Sequence, residues 1–128
     1  MPPIISPLLL VMLGAALGGG TRYLFSFLEG HLNAPIILST LLVNILGGLL
    51  AGIITGYLLY KPDQEIRLFL IIGFCGGLTT FSSFSLEAMM LLQQREYLAS
   101  LGLIALHLIG AIGATFIGFI IIQKLLQP

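Results

Sequence analysis

From Pro35 to Tyr60 the chain carries no formally charged residue, and the same holds from Leu68 to Leu86 and from Tyr97 to Gln123. A helix rises about 1.5 Å per residue, so a run of roughly 20 apolar residues crosses a hydrocarbon core about 30 Å thick. Each of these runs is long enough or nearly so. A fourth run, Ile4 to Phe27, is apolar from Pro7 to Gly20 and then carries Thr21, Arg22 and Tyr23. Backbone groups in lipid must be paired within the chain, so the runs are expected as helices. The expected architecture is an all-α membrane protein with four transmembrane helices over about residues 4–27, 35–60, 67–92 and 97–123. These form one transmembrane domain spanning 1–128.

Composition decides what else the chain can be. Of its 128 residues 58% are hydrophobic and 8% are charged, where soluble domains carry roughly 25% charged residues. The spans use almost the whole length, which leaves no room for a soluble catalytic module. Two scattered histidines and one cysteine do not assemble a nucleophile with its base or a metal cluster, so the chain is expected not to be an enzyme. Cys75 is the only cysteine and lies inside a span, where it serves as a small packing residue. Formal net charge is zero and no basic run occurs, which excludes nucleic acid and a polybasic lipid contact as expected partners.

The polar connections set the topology. The first run lacks the amino-terminal Lys or Arg of a signal peptide and is expected to stay in the mature protein. Glu29 to Pro35 reads as a short connection, with Gly30 and Asn33 as turn residues and Pro35 suited to a helix start. In Lys61-Pro62-Asp63-Gln64-Glu65 the proline ends the second helix and Asp63 is placed to cap the third. Gln93 to Glu96 reads as a tight turn. Four crossings put both termini on one side, with Lys61, Arg67 and Lys124 there and Arg22 and Arg95 opposite. The Lys and Arg bias of short loops directs insertion. Three against two is close to balance, so a chain able to insert in both orientations is expected.

One stretch does not belong in an ordinary lipid-facing helix: Gly73-Phe74-Cys75-Gly76-Gly77-Leu78-Thr79-Thr80-Phe81-Ser82-Ser83-Phe84. Paired glycines, threonines and serines make it weak as a helix and rich in polar groups. Backbone released from helical pairing at membrane depth is tolerated when buried in protein or lining a cavity. A break in the third helix, handling an ion, is the expected use. Phe81 and Phe84 stand within it at i, i+3, and aromatic rings carry a positive edge that can meet an anion without the tight capture a Lys would impose. Read blandly, two such phenylalanines are core residues; the hydroxyls of Thr79, Thr80, Ser82 and Ser83 tip the reading toward an anion path.

Small residues recur at helical spacing, as Gly14 and Gly18, Gly48 and Gly52, Gly52 and Gly56, and Gly110 and Ala114. Such faces let helices approach closely in lipid, and four helices packed so tightly hardly enclose a hydrated pore, so transport would need an oligomer. Asn44, near the middle of the second span, is either an interhelical clasp or a pore-lining amide that donates to an anion. Arg22 either snorkels to the interface or raises anion concentration at a pore mouth. Glu87 reads as a helix-end acid rather than a proton-coupling one. His107, Ala111 and Thr115 share a helical face at i, i+4, i+8, where His107 is either packed and bonded or part of a polar path with Thr115.

The stretches GAALGGGTRY, STLLVNILGG and GFCGGLTTFSSF resemble, in order, the three signature regions of the Fluc (CrcB) fluoride channel family. The resemblance covers the first three spans, and four spans in this length agree with it. It implies a fluoride-selective channel: an antiparallel, dual-topology homodimer in the bacterial inner membrane, with two pores that let fluoride leave passively. By motif position it places Asn44 on the pore wall, Phe81 and Phe84 against fluoride, Ser83 between them, and Arg22 near a vestibule. It implies a structural sodium ion at the dimer axis, held by the backbone carbonyls of Gly76 and Thr79. The polar track of the fourth helix falls on His107, Ala111 and Thr115, with Ala111 lacking a hydroxyl that some relatives have.

Two other functions share features with the chain. A small multidrug-type exporter has the size and the four spans, but is expected to carry an acid deep in its first span, and here that span has none and the chain has no Trp. A structural membrane assembly subunit would account for the glycine faces alone.

Overall fold

A computed structural model of the chain describes residues 4–32 and 38–127. The described residues are helical apart from short connections, in the order α1 (Ile5–Leu32), α2 (Leu38–Tyr60), α3 (Gln64–Ile66), a π-helical segment (Arg67–Cys75), α4 (Gly76–Leu78), α5 (Phe81–Gln93) and α6 (Tyr97–Leu126). Four helical stretches are long and apolar enough to cross a membrane: Ile5–His31, Leu38–Tyr60, Gln64–Gln93 and Tyr97–Leu126. The described residues are thus all-helical, with four helices long and apolar enough to span a membrane.

The helix ends follow local chemistry. The expected cap at Asp63 forms: its backbone is extended and its carboxylate accepts from Ile66 N–H at 3.0 Å. At the far end of α5 the chain turns with Arg95 in the left-handed region at φ 62°. There Glu96 N–H donates to Leu91 C=O and Arg95 N–H to Leu92 C=O, the two bonds of a Schellman ending with arginine where glycine is usual. The expected turn at Glu29 and Gly30 does not form. Both are helical in α1, because Glu29 has a better use there: its carboxylate accepts from the backbone N–H of Leu38 and of Ser39 and from the Ser39 hydroxyl. The α1 acid thereby caps the start of α2, where an anion is favoured by the exposed N–H groups and the helix dipole. Asn33 and Pro35 lie outside the described residues.

Packing is set by the small residues, as their spacing implied. α1 lies along the π-helical segment and α4, while α2 lies along α6. A Cβ on Gly18 would strike Phe74 C=O, and one on Gly52 would strike Thr115 C=O and sit 3.0 Å from Phe119 N. At these positions one backbone therefore rests directly on another, which any side chain would forbid. The reciprocal contacts come from Gly73 and Gly77 against Val11 and Ala15, and from Gly118 against Leu49. Cys75, between Gly73 and Gly77, is buried. The widened winding of Arg67–Cys75 has no expectation to match it. A π-helix shifts side-chain register by one residue per turn segment, and here it accompanies the approach of Gly73 and Gly77 to α1.

The consequence for function lies at Leu78 to Phe81. Thr79 (φ −82°, ψ 155°) and Thr80 (φ −149°, ψ 117°) are extended, and α5 begins at Phe81 with Thr80 as its N-cap, the Thr80 hydroxyl accepting from Ser83 N–H at 3.1 Å. Thr79 N–H still reaches Cys75 C=O four residues back, but beyond it the extended chain breaks the i to i−4 pairing at Thr80, so the backbone there needs other partners.

Candidate functional site

Those partners come from α2. Asn44 meets Thr80 twice: its Oδ1 accepts from Thr80 N–H at 2.8 Å, and its Nδ2 donates to Thr80 C=O at 3.1 Å. One primary amide thus gives the Thr80 N–H the acceptor it lost with the helix, and adds a donor to the Thr80 C=O, which as the N-cap carbonyl also faces the first turn of α5. The geometry also fixes which way the amide faces, because a backbone N–H only donates and a C=O only accepts. The second hydrogen on Nδ2 points to Nδ1 of His107 on α6, at 3.1 Å. The clasp reading of Asn44 is therefore literal: it ties α2 to the start of α5 and to α6, and both its donor hydrogens are in use.

His107 is only 4% exposed. With Nδ1 accepting from an amide, the neutral ring carries its proton on Nε2, and that atom is buried without a hydrogen-bond partner among the described residues. The ring of Phe84 lies over the imidazole, with centroids 4.6 Å apart and planes inclined by 30°. Phe81 in turn meets Phe84 edge to face at 5.3 Å. The two phenylalanines have opposite surroundings: Phe84 is 7% exposed and Phe81 is 75% exposed. Spacing alone made them equivalent; the start of α5 separates them, because residues three apart on a helix differ in direction by about 60°.

Asn44, Gly76, Thr79, Phe81, Phe84 and His107 line one groove of about 430 Å³, open along its length. Six of the nine residues expected to handle ions thus come together on one surface. Ser83 stands beside it, its hydroxyl accepting from that of Thr80 at 3.2 Å. Arg22 and Thr115 do not line it. Arg22 lies on α1, whose main contacts are with the π-helical segment and α4. Thr115 is exposed, and its hydroxyl donates to Ala111 C=O in its own helix at 2.9 Å. Eight residues are 2.2 helical turns, so Thr115 is rotated about 80° from His107 rather than directly below it; the shared face of the i, i+8 pair is correspondingly looser than its spacing implied.

The carbonyls around Thr79 are candidates for a cation. Thr79 N–H and hydroxyl both go to Cys75 C=O, at 3.0 Å and 2.9 Å, and Thr80 N–H goes to Asn44 instead of Gly76 C=O four residues back. The N–H groups four residues on from the Gly76 and Thr79 carbonyls are thus both engaged elsewhere, Thr80 N–H with Asn44 and Ser83 N–H with the Thr80 hydroxyl. Neutral oxygens freed in this way suit a hard monovalent ion, so these residues fit the sodium that the family resemblance implies.

A second polar pair adjoins the first. Glu87, expected as an acid at a helix end, is in the interior of α5 and 8% exposed. Thr40 donates to its Oε1 at 2.5 Å, while Oε2 is buried without a partner among the described residues. The signal was present in the chain: Thr40 stands one turn before Asn44 on α2, and Glu87 one turn after Phe84 on α5, so both pairs fall on the same seam. Thr80, whose backbone organises the whole site, was legible only as one hydroxyl among several.

The chain is similar to known proteins along nearly its whole length. The family described as CrcB-like protein, Camphor Resistance (CrcB), matches over residues 9–119. The chain is 37% identical over 124 residues to the fluoride-specific ion channel FluC of Pseudomonas syringae pv. maculicola, covering 95% of this chain and 98% of that one. It is 40% identical over 125 residues to the FluC of Acinetobacter baylyi, covering 95% and 98%. To the FluC of Tolumonas auensis it is 44% identical over 112 residues, covering 86% and 88%. With the motifs in order, four membrane-spanning helices and similarity along nearly its whole length, the chain belongs to the CrcB family.

Proposed function

We propose that the protein is a fluoride-selective channel of the bacterial inner membrane, which lets fluoride leave the cell down its gradient. The observation that carries this reading is the groove in which an amide, an imidazole and two phenylalanines converge on extended backbone at membrane depth. Fluoride holds its water tightly, and a path that strips it must offer donors in succession. Ser83 and His107 supply a hydroxyl and a ring donor along or beside the groove, with the hydroxyls of Thr79 and Thr80 bonded next to them, and the exposed edge of Phe81 supplies a weak electropositive contact. The break in the third helix at Thr79 and Thr80 serves this end, since it converts helix-internal polar groups into ones available to an ion. Arg22 contributes a permanent charge nearer the membrane surface, and Thr115 extends the polar track on α6.

The working unit is a homodimer of oppositely oriented subunits. One chain leaves the groove open and Phe81 uncovered, so a second copy is needed to close a path. The near-even Lys and Arg distribution supports insertion in both directions. Sodium, when bound by the carbonyls of Gly76 and Thr79, supplies a fixed positive charge that joins two subunits and is not transported.

Fluoride efflux from proteoliposomes, with chloride as the comparison ion, tests the channel reading. Rapid passive fluoride release and little chloride release are expected; equal release of both would refute selectivity. For the orientation, Gln64→Cys in a Cys75→Ala background places an exposed thiol beside the α2–α3 connection. Labelling from both sides of sealed vesicles is expected, and labelling from one side only would refute dual topology.

A further inference from the structure

The Asn44 amide has its direction set by Thr80, and that has a consequence for the residue next to it. Because Thr80 N–H must meet Oδ1 and Thr80 C=O must meet Nδ2, the group facing His107 is an N–H and never an oxygen. Nδ1 of His107 must therefore accept. An imidazolium has two donors and no acceptor. We propose that His107 is a positioning residue for Asn44, holding its amide on Thr80 only while the imidazole is neutral, so that protonation of His107 releases the amide and lowers conduction. This deepens the channel reading above and rests on it.

The alternatives open to a protonated ring are few. If the amide stays, two N–H groups oppose each other across 3.1 Å. If it turns its oxygen toward the ring, Thr80 N–H loses its acceptor and faces an NH₂ group, while Thr80 C=O loses its donor. In the first case the N–H repulsion pushes the amide off Thr80; in the second Thr80 N–H is unpaired outright, and the Thr80 hydroxyl that caps Ser83 N–H moves with its backbone.

Nothing near the ring is placed to take over. On α2 there is no charged side chain, and its tyrosines, Tyr57 and Tyr60, lie at the far end from Asn44. On α5 the ring faces Phe84; the one acid, Glu87, lies a turn further on and is bonded to Thr40. The π-helical segment brings Cys75 to the same groove. On α6 itself Tyr97 and Lys124 are titratable but stand at its two ends.

The test is the pH profile of fluoride efflux from proteoliposomes between about pH 8 and pH 5.5, where histidine changes charge, with release from protein-free vesicles subtracted at each pH. The parent protein is expected to slow by about tenfold across this range, the equivalent of one lost net hydrogen bond. His107→Asn places a carboxamide oxygen near the position of Nδ1, and is expected to give a flat profile whatever its absolute rate. His107→Leu is expected to be slower than His107→Asn at every pH. A parent profile that is flat, or a His107→Asn profile as steep as the parent's, would overturn the proposal. Nitrogen NMR of the imidazole in a His31→Gln background reads the same switch without fluoride. The expected neutral form has a bare Nδ1, with the Asn44 side-chain amide and the Thr80 N–H shifting as His107 titrates; a proton on Nδ1 at neutral pH would overturn it. Absence of fluoride flux at all pH values with that NMR signature intact would instead refute the channel reading and leave the positioning role standing.

Discussion

Asn44→Ala removes three hydrogen bonds at once, and the structure says what each loss leaves behind. Thr80 N–H and C=O, bonded at 2.8 Å and 3.1 Å, are left on a residue buried in the seam, and His107 Nδ1 loses its donor at 3.1 Å. Interhelical hydrogen bonds in membrane proteins average about 0.6 kcal/mol, because the unfolded chain in lipid also finds partners; three of them amount to about 2 kcal/mol. Thr80 is a backbone case with few alternatives, and stranding buried polar groups costs about 1–3 kcal/mol each, which sets an upper figure near 6 kcal/mol. Equilibrium denaturation in mixed micelles, followed by circular dichroism, measures the change. Asn44→Asp separates the components: its carboxylate can still accept from Thr80 N–H but opposes Thr80 C=O, and it carries an anion into an anion path. It is expected to be destabilised less than Asn44→Ala, and to pass no fluoride while remaining folded. A double-mutant cycle of Asn44→Ala with His107→Leu should show a coupling of about 0.6–1.7 kcal/mol. A loss under about 0.5 kcal/mol for Asn44→Ala, within the range of an inconsequential surface change, would refute the claim that this amide holds the start of α5.

Gly52→Ala forces its Cβ against Thr115 C=O and should cost about 1–3 kcal/mol as an overpacking change, whereas Gly102, with nothing within 4 Å of an added Cβ, should tolerate alanine or gain up to about 1 kcal/mol; denaturation midpoints of the two variants check this. Arg95→Gly relieves a left-handed residue at φ 62° and should stabilise the α5–α6 turn by about 1 kcal/mol, read in the same assay. Phe84→Ile loses its stacking on His107 and should cost about 1–1.5 kcal/mol, while the exposed Phe81→Ile should change chain stability by less than about 0.5 kcal/mol. Fluoride flux should fall in both phenylalanine variants, and parental flux in a folded Phe81→Ile protein would refute the ring-edge account.

Much of this protein was legible along the chain because its solvent is lipid. Uncharged runs long enough to cross a bilayer have one inexpensive conformation, so the four spans, the Asp63 cap and the close-packing glycines follow from residue type and spacing. The motifs likewise marked Asn44, Phe81 and Phe84 as belonging together, and the family resemblance added His107 from the fourth helix. What no spacing could state is which group bonds which. That Asn44 is spent on Thr80 and His107, that Glu87 is interior and paired with Thr40, and that Phe84 is covered while Phe81 is bare all depend on how α2, α5 and α6 cross. The same is true of the π-helical winding of Arg67–Cys75 and of Glu29, which continues α1 and caps α2 instead of forming a turn. Hydrophobic length acts one segment at a time and is recorded in the chain itself, whereas polar pairing between helices depends on their mutual rotation and depth to within an ångström, and only the packed backbone sets those.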